Sequence, residues 1–96
     1  MRPYEVLFIV KPEFEEEQVD TIIEKYTNLI QTEGGEIVKV DKWGKRKLAY
    51  EIANKYREGI YTLIQFNSEP AVASELDRVM KISDEIMRHL ISKIEE

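Results

Sequence analysis

The sequence predicts one α+β domain in which a four-stranded antiparallel sheet carries two helices on one face, in the order βαββαβ. Three observations predict it. Ninety-six residues, 43% of them hydrophobic, suit one core and leave no room for a second, so residues 1–96 read as a single domain. Two stretches repeat apolar residues at helical spacing, while the others are β-rich runs with alternating apolar positions. Taken in order, they form two strand–helix–strand halves, the ferredoxin-like arrangement.

The first strand is Arg2 to Val10. Tyr4, Val6, Phe8 and Val10 alternate with Glu5, Leu7 and Ile9, so both faces are largely apolar, as in a central strand. Lys11-Pro12 ends it, because proline cannot donate to the ladder. Val19, Ile22, Ile23, Tyr26, Leu29 and Ile30 then mark one face of a helix, with Asp20, Thr21, Glu24, Lys25 and Asn28 opposite. Carboxylates crowd its start, where the helix dipole favours them, and Gly34-Gly35 suits its end.

From Glu36, the residues Ile37, Val38 and Val40 give a second strand. Alternation resumes at Leu48, Tyr50 and Ile52 after a disturbance at Trp43-Gly44, where the glycine points to a bulge or bend. Ala53 to Gly59 reads as turn material, and Ile60 to Phe66 as a strand closing a hairpin. Ser68 or Glu69 then caps a second helix with Pro70 in its first turn, burying Val72, Leu76, Val79 and Met80. Periodicity leaves the last segment open between a continued helix and a strand over "EIMRHLISKI". Balance around the central strand decides for the strand.

The longest unbroken apolar run, Val6 to Val10, is far short of the roughly 18 residues of a spanning helix. No membrane association is expected. "MRPYEV" lacks the apolar region of a secretion signal, and the absence of cysteine fits a reducing cytoplasm. Gly34-Gly35 is no nucleotide fingerprint, and "WGKRK" lacks the upstream glycine and the hydroxyl residue of a phosphate loop. Glu15, Glu16 and Glu17 are consecutive rather than spaced to converge on a metal. They read as solvated acids at a helix start. His89, the single histidine, has no sequence-adjacent nucleophile and reads as a strand residue with a structural or contact role. Met80 and Met87 read as core. No cofactor, metal or catalytic residue is expected.

What remains is an uneven distribution of charge. Lys42, Lys45, Arg46 and Lys47 carry +4 with no acid among them, so against a net charge of −5 the remainder carries −9. An acidic body does not forbid a polyanionic ligand, because salt screens charges beyond a Debye length of about 8 to 10 Å. Lysines on an edge strand also have a plain structural use, since charge there discourages edge-to-edge aggregation. The interleaving of Trp43, Tyr50 and Tyr56 with Lys55, Arg57 and the cations of the island tilts the balance toward nucleic acid. Tyr61 and Phe66 in "EGIYTLIQF" do not reproduce the stacking pattern of an RNA-recognition motif. Contact with phosphate and sugar is therefore expected rather than base stacking on the sheet.

Together, "MRPYE" at the start, "WGKRKLAYEI" from Trp43, "GIY" from Gly59 and "KISDEIMRH" from Lys81 resemble the bacterial small-subunit ribosomal protein six family along essentially the whole chain. The resemblance implies the ferredoxin-like fold with the final strand, and a non-catalytic component of the cytoplasmic small ribosomal subunit. It also implies binding to the central domain of small-subunit ribosomal RNA together with small-subunit ribosomal protein eighteen, by a protein that is a monomer when isolated. By position it puts Arg2, Lys42, Lys45, Arg46, Lys47 and Arg88 among the contacts with RNA or partner. It makes the edge bearing Trp43, Leu48 and Tyr50 the protein-binding surface. Pro3 stands where the family often has another basic residue, and Glu96 ends the sequence without the longer tail of some members, so less contact is expected at both places. The same topology also serves acylphosphatase-like enzymes and metabolite-binding regulatory domains, which remain the alternatives. Asn28, Asn54 and Asn67 are present for the former, but no glycine-bearing phosphate cradle lies near an arginine at the end of the first strand.

Overall fold

Strand β1 (Arg2–Val10) lies inside the sheet because both of its backbone edges are paired, with β3 (Tyr56–Ser68) on one side and β4 (Ile86–Lys93) on the other. Strand β2 (Glu36–Ile52) pairs with the outer side of β3, giving the antiparallel order β2-β3-β1-β4. A computed structural model describes the backbone of residues 1–52 and 56–94, and the side chains of these apart from 49–52. The ferredoxin-like βαββαβ order is as expected, and the last segment is a strand. Its pairing even runs past Lys93, since the Ile94 N–H donates to the Pro3 carbonyl at 2.9 Å.

Helices α1 (Glu16–Thr32) and α2 (Pro70–Lys81) cover one face. Tyr4, Val6, Phe8 and Val10 meet Val19, Ile23, Tyr26 and Ile30 from α1, and Ala73, Leu76 and Met80 from α2, in one buried cluster. Phe8 and Tyr26 pack edge-on with ring centroids 5.6 Å apart. Each fully buried aliphatic side chain there stabilises the fold by about 1.5 to 3 kcal/mol. At the start of α1, the Glu15 N–H donates to Gln18 Oε1 at 2.8 Å, meeting one of the donors a helix start leaves open. At its end Gly34 takes φ +94°, and the Gly35 N–H returns to the Ile30 carbonyl at 2.8 Å. Helix α2 opens on Pro70, with Arg78 and Lys81 in its last turn, where the dipole favours cations.

Two polar clusters tie the layers together. Glu85, just before β4, accepts from Lys25 Nζ at 2.9 Å and from the Tyr26 hydroxyl at 3.3 Å, while its carbonyl accepts from the Lys11 N–H. Burial opposes ionisation of Glu85, but the bonds from Lys25, the backbone and Tyr26 outweigh it and hold the carboxyl below its ordinary pKa. On the other helix, His89 Nε2 lies 2.8 Å from Asp77 Oδ1, and Lys81 pairs with the second oxygen. These contacts lower the Asp77 pKa and give His89 a structural partner.

The hairpin of β2 and β3 is longer than the sequence predicts. Tyr56 to Gly59 is strand rather than turn, because Gly59 and Glu58 pair with Arg46 and Lys47, and Tyr56 pairs with Ile52. Ala53, Asn54 and Lys55 lie outside the described residues. Strand β2 is continuous through the disturbance at Trp43-Gly44, which is a register shift. Met80 is core as expected, whereas Met87 is only half-buried.

Candidate nucleic-acid and protein interface

The basic island lies on β2, an edge strand, where it runs out along the hairpin. Lys42 pairs with Thr62, whose neighbours Ile64 and Phe66 belong to the core face, and the register then shifts so that Gly44 opposes Tyr61. Gly44 makes the shift with φ +83°, a conformation glycine adopts without strain. The extra residue is Trp43. It stacks on Tyr61 with centroids 6.1 Å apart and planes 10° from parallel, and its indole N–H donates to Asp41 Oδ2 at 3.2 Å. The Arg46 guanidinium sits 5.4 Å from the Trp43 ring, close enough for a cation–π contact.

The four cations of the island are not equivalent. Lys42 Nζ lies 2.8 Å from Asp20 Oδ1 on α1, and that bond raises its pKa. Its charge is already answered within the chain. Lys45, Arg46 and Lys47 are exposed on the strand, with Lys47 opposite Glu58. Arg88 on β4 pairs with Ile9, which pairs with Tyr61, which pairs with Gly44. Arg88 therefore occupies the same cross-strand row as the bulge, about 14 Å away across three strand spacings. Arg2 does not join them. It pairs with Ser68, eight residues along β3 from the Ile60 that faces Lys45, a separation of about 26 Å along the sheet.

Of the expected protein-binding edge, Trp43 is 37% exposed and Leu48 is half-buried, while the side chain of Tyr50 lies outside the described residues. The structure adds a surface the sequence reading did not single out. Both helices lie on one face, so the opposite face of the sheet is open. It presents Leu7, Tyr61 and Leu63, half-buried, beside Trp43 and Leu90, the last 64% exposed. The signal was there in β1, where Leu7 and Ile9 make the second face apolar although two helices can cover only one.

An exposed aromatic–arginine stack thus lies on a sheet edge, beside two further exposed cations, Lys45 and Lys47, and an uncovered apolar face. The sequence matches the family described as Ribosomal protein S6 over residues 3–93. The chain belongs to that family. It is 59% identical over 91 residues to small ribosomal subunit protein bS6 of Desulforamulus reducens, covering 95% of each chain. It is 51% identical over 96 residues to the bS6 protein of Moorella thermoacetica, covering 100% of this chain and 97% of that one. The crystal structure of 30S ribosomal protein S6 from Thermotoga maritima matches with a TM-score of 0.90 at 35% identity, over 97% of this chain and 87% of that one. The C-terminal domain of the MgtC protein from Mycobacterium tuberculosis matches at 12% identity with a TM-score of 0.62, which shows a shared fold alone. As a member of the ribosomal protein S6 family the chain is a small-subunit ribosomal protein, a structural component and not an enzyme. The acylphosphatase-like alternative is thereby set aside, and so is the metabolite-binding one.

Proposed function

We propose that the chain is a two-surface adaptor, binding the central domain of small-subunit ribosomal RNA together with small-subunit ribosomal protein eighteen. The observation that carries this reading is the division of labour on β2. Lys45, Arg46 and Lys47 follow one another as exposed cations along the edge strand, alternating between its two faces, while Trp43 beside them joins the apolar sheet surface. Cations position phosphates, and an exposed aromatic edge contributes contact area to a protein partner. Arg88 extends the cationic side across the sheet, and Arg2 serves a separate contact at the far end. Leu48 and Tyr50 continue the protein-binding edge along the hairpin.

A chain of net charge −5 binds RNA weakly by itself and more tightly once a cationic protein has joined it. Filter binding of a central-domain RNA fragment with the chain alone, the partner alone and the mixture tests this. Affinity rises in the mixture; equal affinity with and without the partner refutes the adaptor. Sedimentation of the chain alone gives a monomer, and a stable dimer would mean that its sheet surface serves self-association.

A further inference from the structure

Lys45, Arg46 and Lys47 are held differently. Strand alternation sets Lys45 and Lys47 on the helix side, opposite Ile60 and Glu58, and Arg46 on the open face, opposite Gly59. Glycine leaves no side chain across from Arg46, and a Cβ in its place would collide with Ile9 Cγ2. The guanidinium carbon of Arg46 lies instead over the Trp43 ring, 5.4 Å from its centroid. That ring is itself fixed twice. Tyr61 stacks on it, 10° from parallel, and its N–H donates to Asp41, whose carboxylate also meets Lys39 Nζ at 3.9 Å.

The charge of Arg46 thus meets a ring, whereas that of Lys42 meets the carboxylate of Asp20. A ring face attracts a cation without consuming its five N–H donors, so the arginine keeps both its charge and its fork for an outside ligand. A guanidinium fork matches a phosphate with two parallel N–H···O bonds, while a lysine ammonium meets it as a mobile point charge. A side chain ordered before binding also loses less freedom on binding. Lys45 and Lys47 carry the same charge as Arg46 but have no ring contact among the described residues.

We infer that Trp43 is a positioning residue for RNA binding: it presets the Arg46 guanidinium as a two-pronged phosphate clamp, and Tyr61 and Asp41 hold the ring that does so. The inference rests on the reading of this row as an RNA contact. It gives Trp43 a part in RNA affinity that passes through Arg46, separate from the surface its ring offers a protein. It also ranks the row, with Arg46 as the anchor and the two lysines as looser contacts.

The test is filter binding of a central-domain RNA fragment by the chain, alone and with protein eighteen, for wild type, Arg46→Lys, Arg46→Ala, Trp43→Leu, Trp43→Phe and the double variant Trp43→Leu/Arg46→Ala. Arg46→Lys keeps the salt slope, because the charge stays, yet weakens binding about tenfold, as expected for losing a bond to a charged group. Trp43→Leu weakens it by a comparable factor, and Trp43→Phe, which keeps a ring beside the cation, recovers most of the affinity. In the Arg46→Ala background, Trp43→Leu costs no more than about twofold, because the two residues act as one unit. Additive losses, or wild-type affinity in Trp43→Leu or Arg46→Lys, overturn the inference, and the row remains an RNA contact as long as Arg46→Ala binds weakly. If Arg46→Ala binds RNA like wild type, that reading of Arg46 fails and the inference with it. A second measurement needs no RNA. The indole ring current moves the Arg46 Hδ resonances of the isotope-labelled chain upfield of free arginine, and Trp43→Leu returns them; wild-type resonances at free-arginine positions overturn the inference whatever the filters show. Should Trp43→Leu unfold, Arg46→Lys at an exposed position and the wild-type resonances decide.

Discussion

The bond between Lys42 and Asp20 divides four cations that look equivalent in sequence, and salt dependence can detect the division. Each phosphate a protein neutralises contributes about 0.7 to 0.9 to the slope of log affinity against log salt, or roughly a threefold change in affinity between 50 and 200 mM. Replacing Lys45, Arg46 and Lys47 together by alanine flattens the slope by up to about 2 to 3 if each meets a phosphate. Lys42→Ala flattens it by less than half as much as Lys45→Ala, because the ammonium lies 2.8 Å from Asp20 and gives up that bond before it reaches a phosphate. Asp20→Asn has the opposite sign. It releases Lys42, whose side chain is 48% exposed, and steepens the slope by up to about one contact. The assay is filter binding of a central-domain RNA fragment by the chain and protein eighteen over a salt series. Equal flattening by Lys42→Ala and Lys45→Ala would refute the reasoning, and an unchanged slope in the triple variant would leave edge protection as the island's role.

Three further measurements probe the scaffold that holds this surface. Leu76→Ala removes a fully buried side chain from the centre of α2 and lowers stability by about 2 to 5 kcal/mol in urea unfolding; a loss under 1 would show the helix packs more loosely. Gly44→Ala places a side chain at φ +83°, costs about 1 to 3 kcal/mol, and reduces the quenching and shielding of Trp43 as its stack on Tyr61 loosens; unchanged tryptophan emission would contradict the role given to the bulge. Glu85 has a folded pKa below its unfolded one, so its contribution is present above the ordinary glutamate range and is lost as pH falls through the depressed value. Glu85→Gln is therefore less stable than wild type near neutrality and loses less on acidification, and parallel pH–stability curves would count against the brace with Lys25 and Tyr26.

Local periodicity made β1, α1 and α2 legible, because a buried stripe such as Val19, Ile23, Tyr26 and Ile30 is written in residue spacing alone. Strand β4 was not, since its apolar positions fit a helix as well. The need to balance the sheet decided it. The outer hairpin escaped because "YREG" is polar and reads as a turn, whereas its strand character comes from pairing with Arg46 and Lys47. The island was visible as composition, yet its partition was not. Asp20 is 22 residues from Lys42 in sequence, and nothing local announces that they meet. Arg2 was grouped with the island by resemblance, and only the strand register sets it apart at the far end of the sheet.

The uncovered side of the sheet has a bearing on copies made in excess. Such an orphan displays Leu90 and the Trp43–Tyr61 pair to water, a greasy panel apt to stick to its own kind. Mutual repulsion between molecules of net charge −5 holds them apart. Acidic buffers near the isoelectric point of about 5.0, or concentrated salt, remove that protection, and colloidal clumping should begin there before any unfolding does.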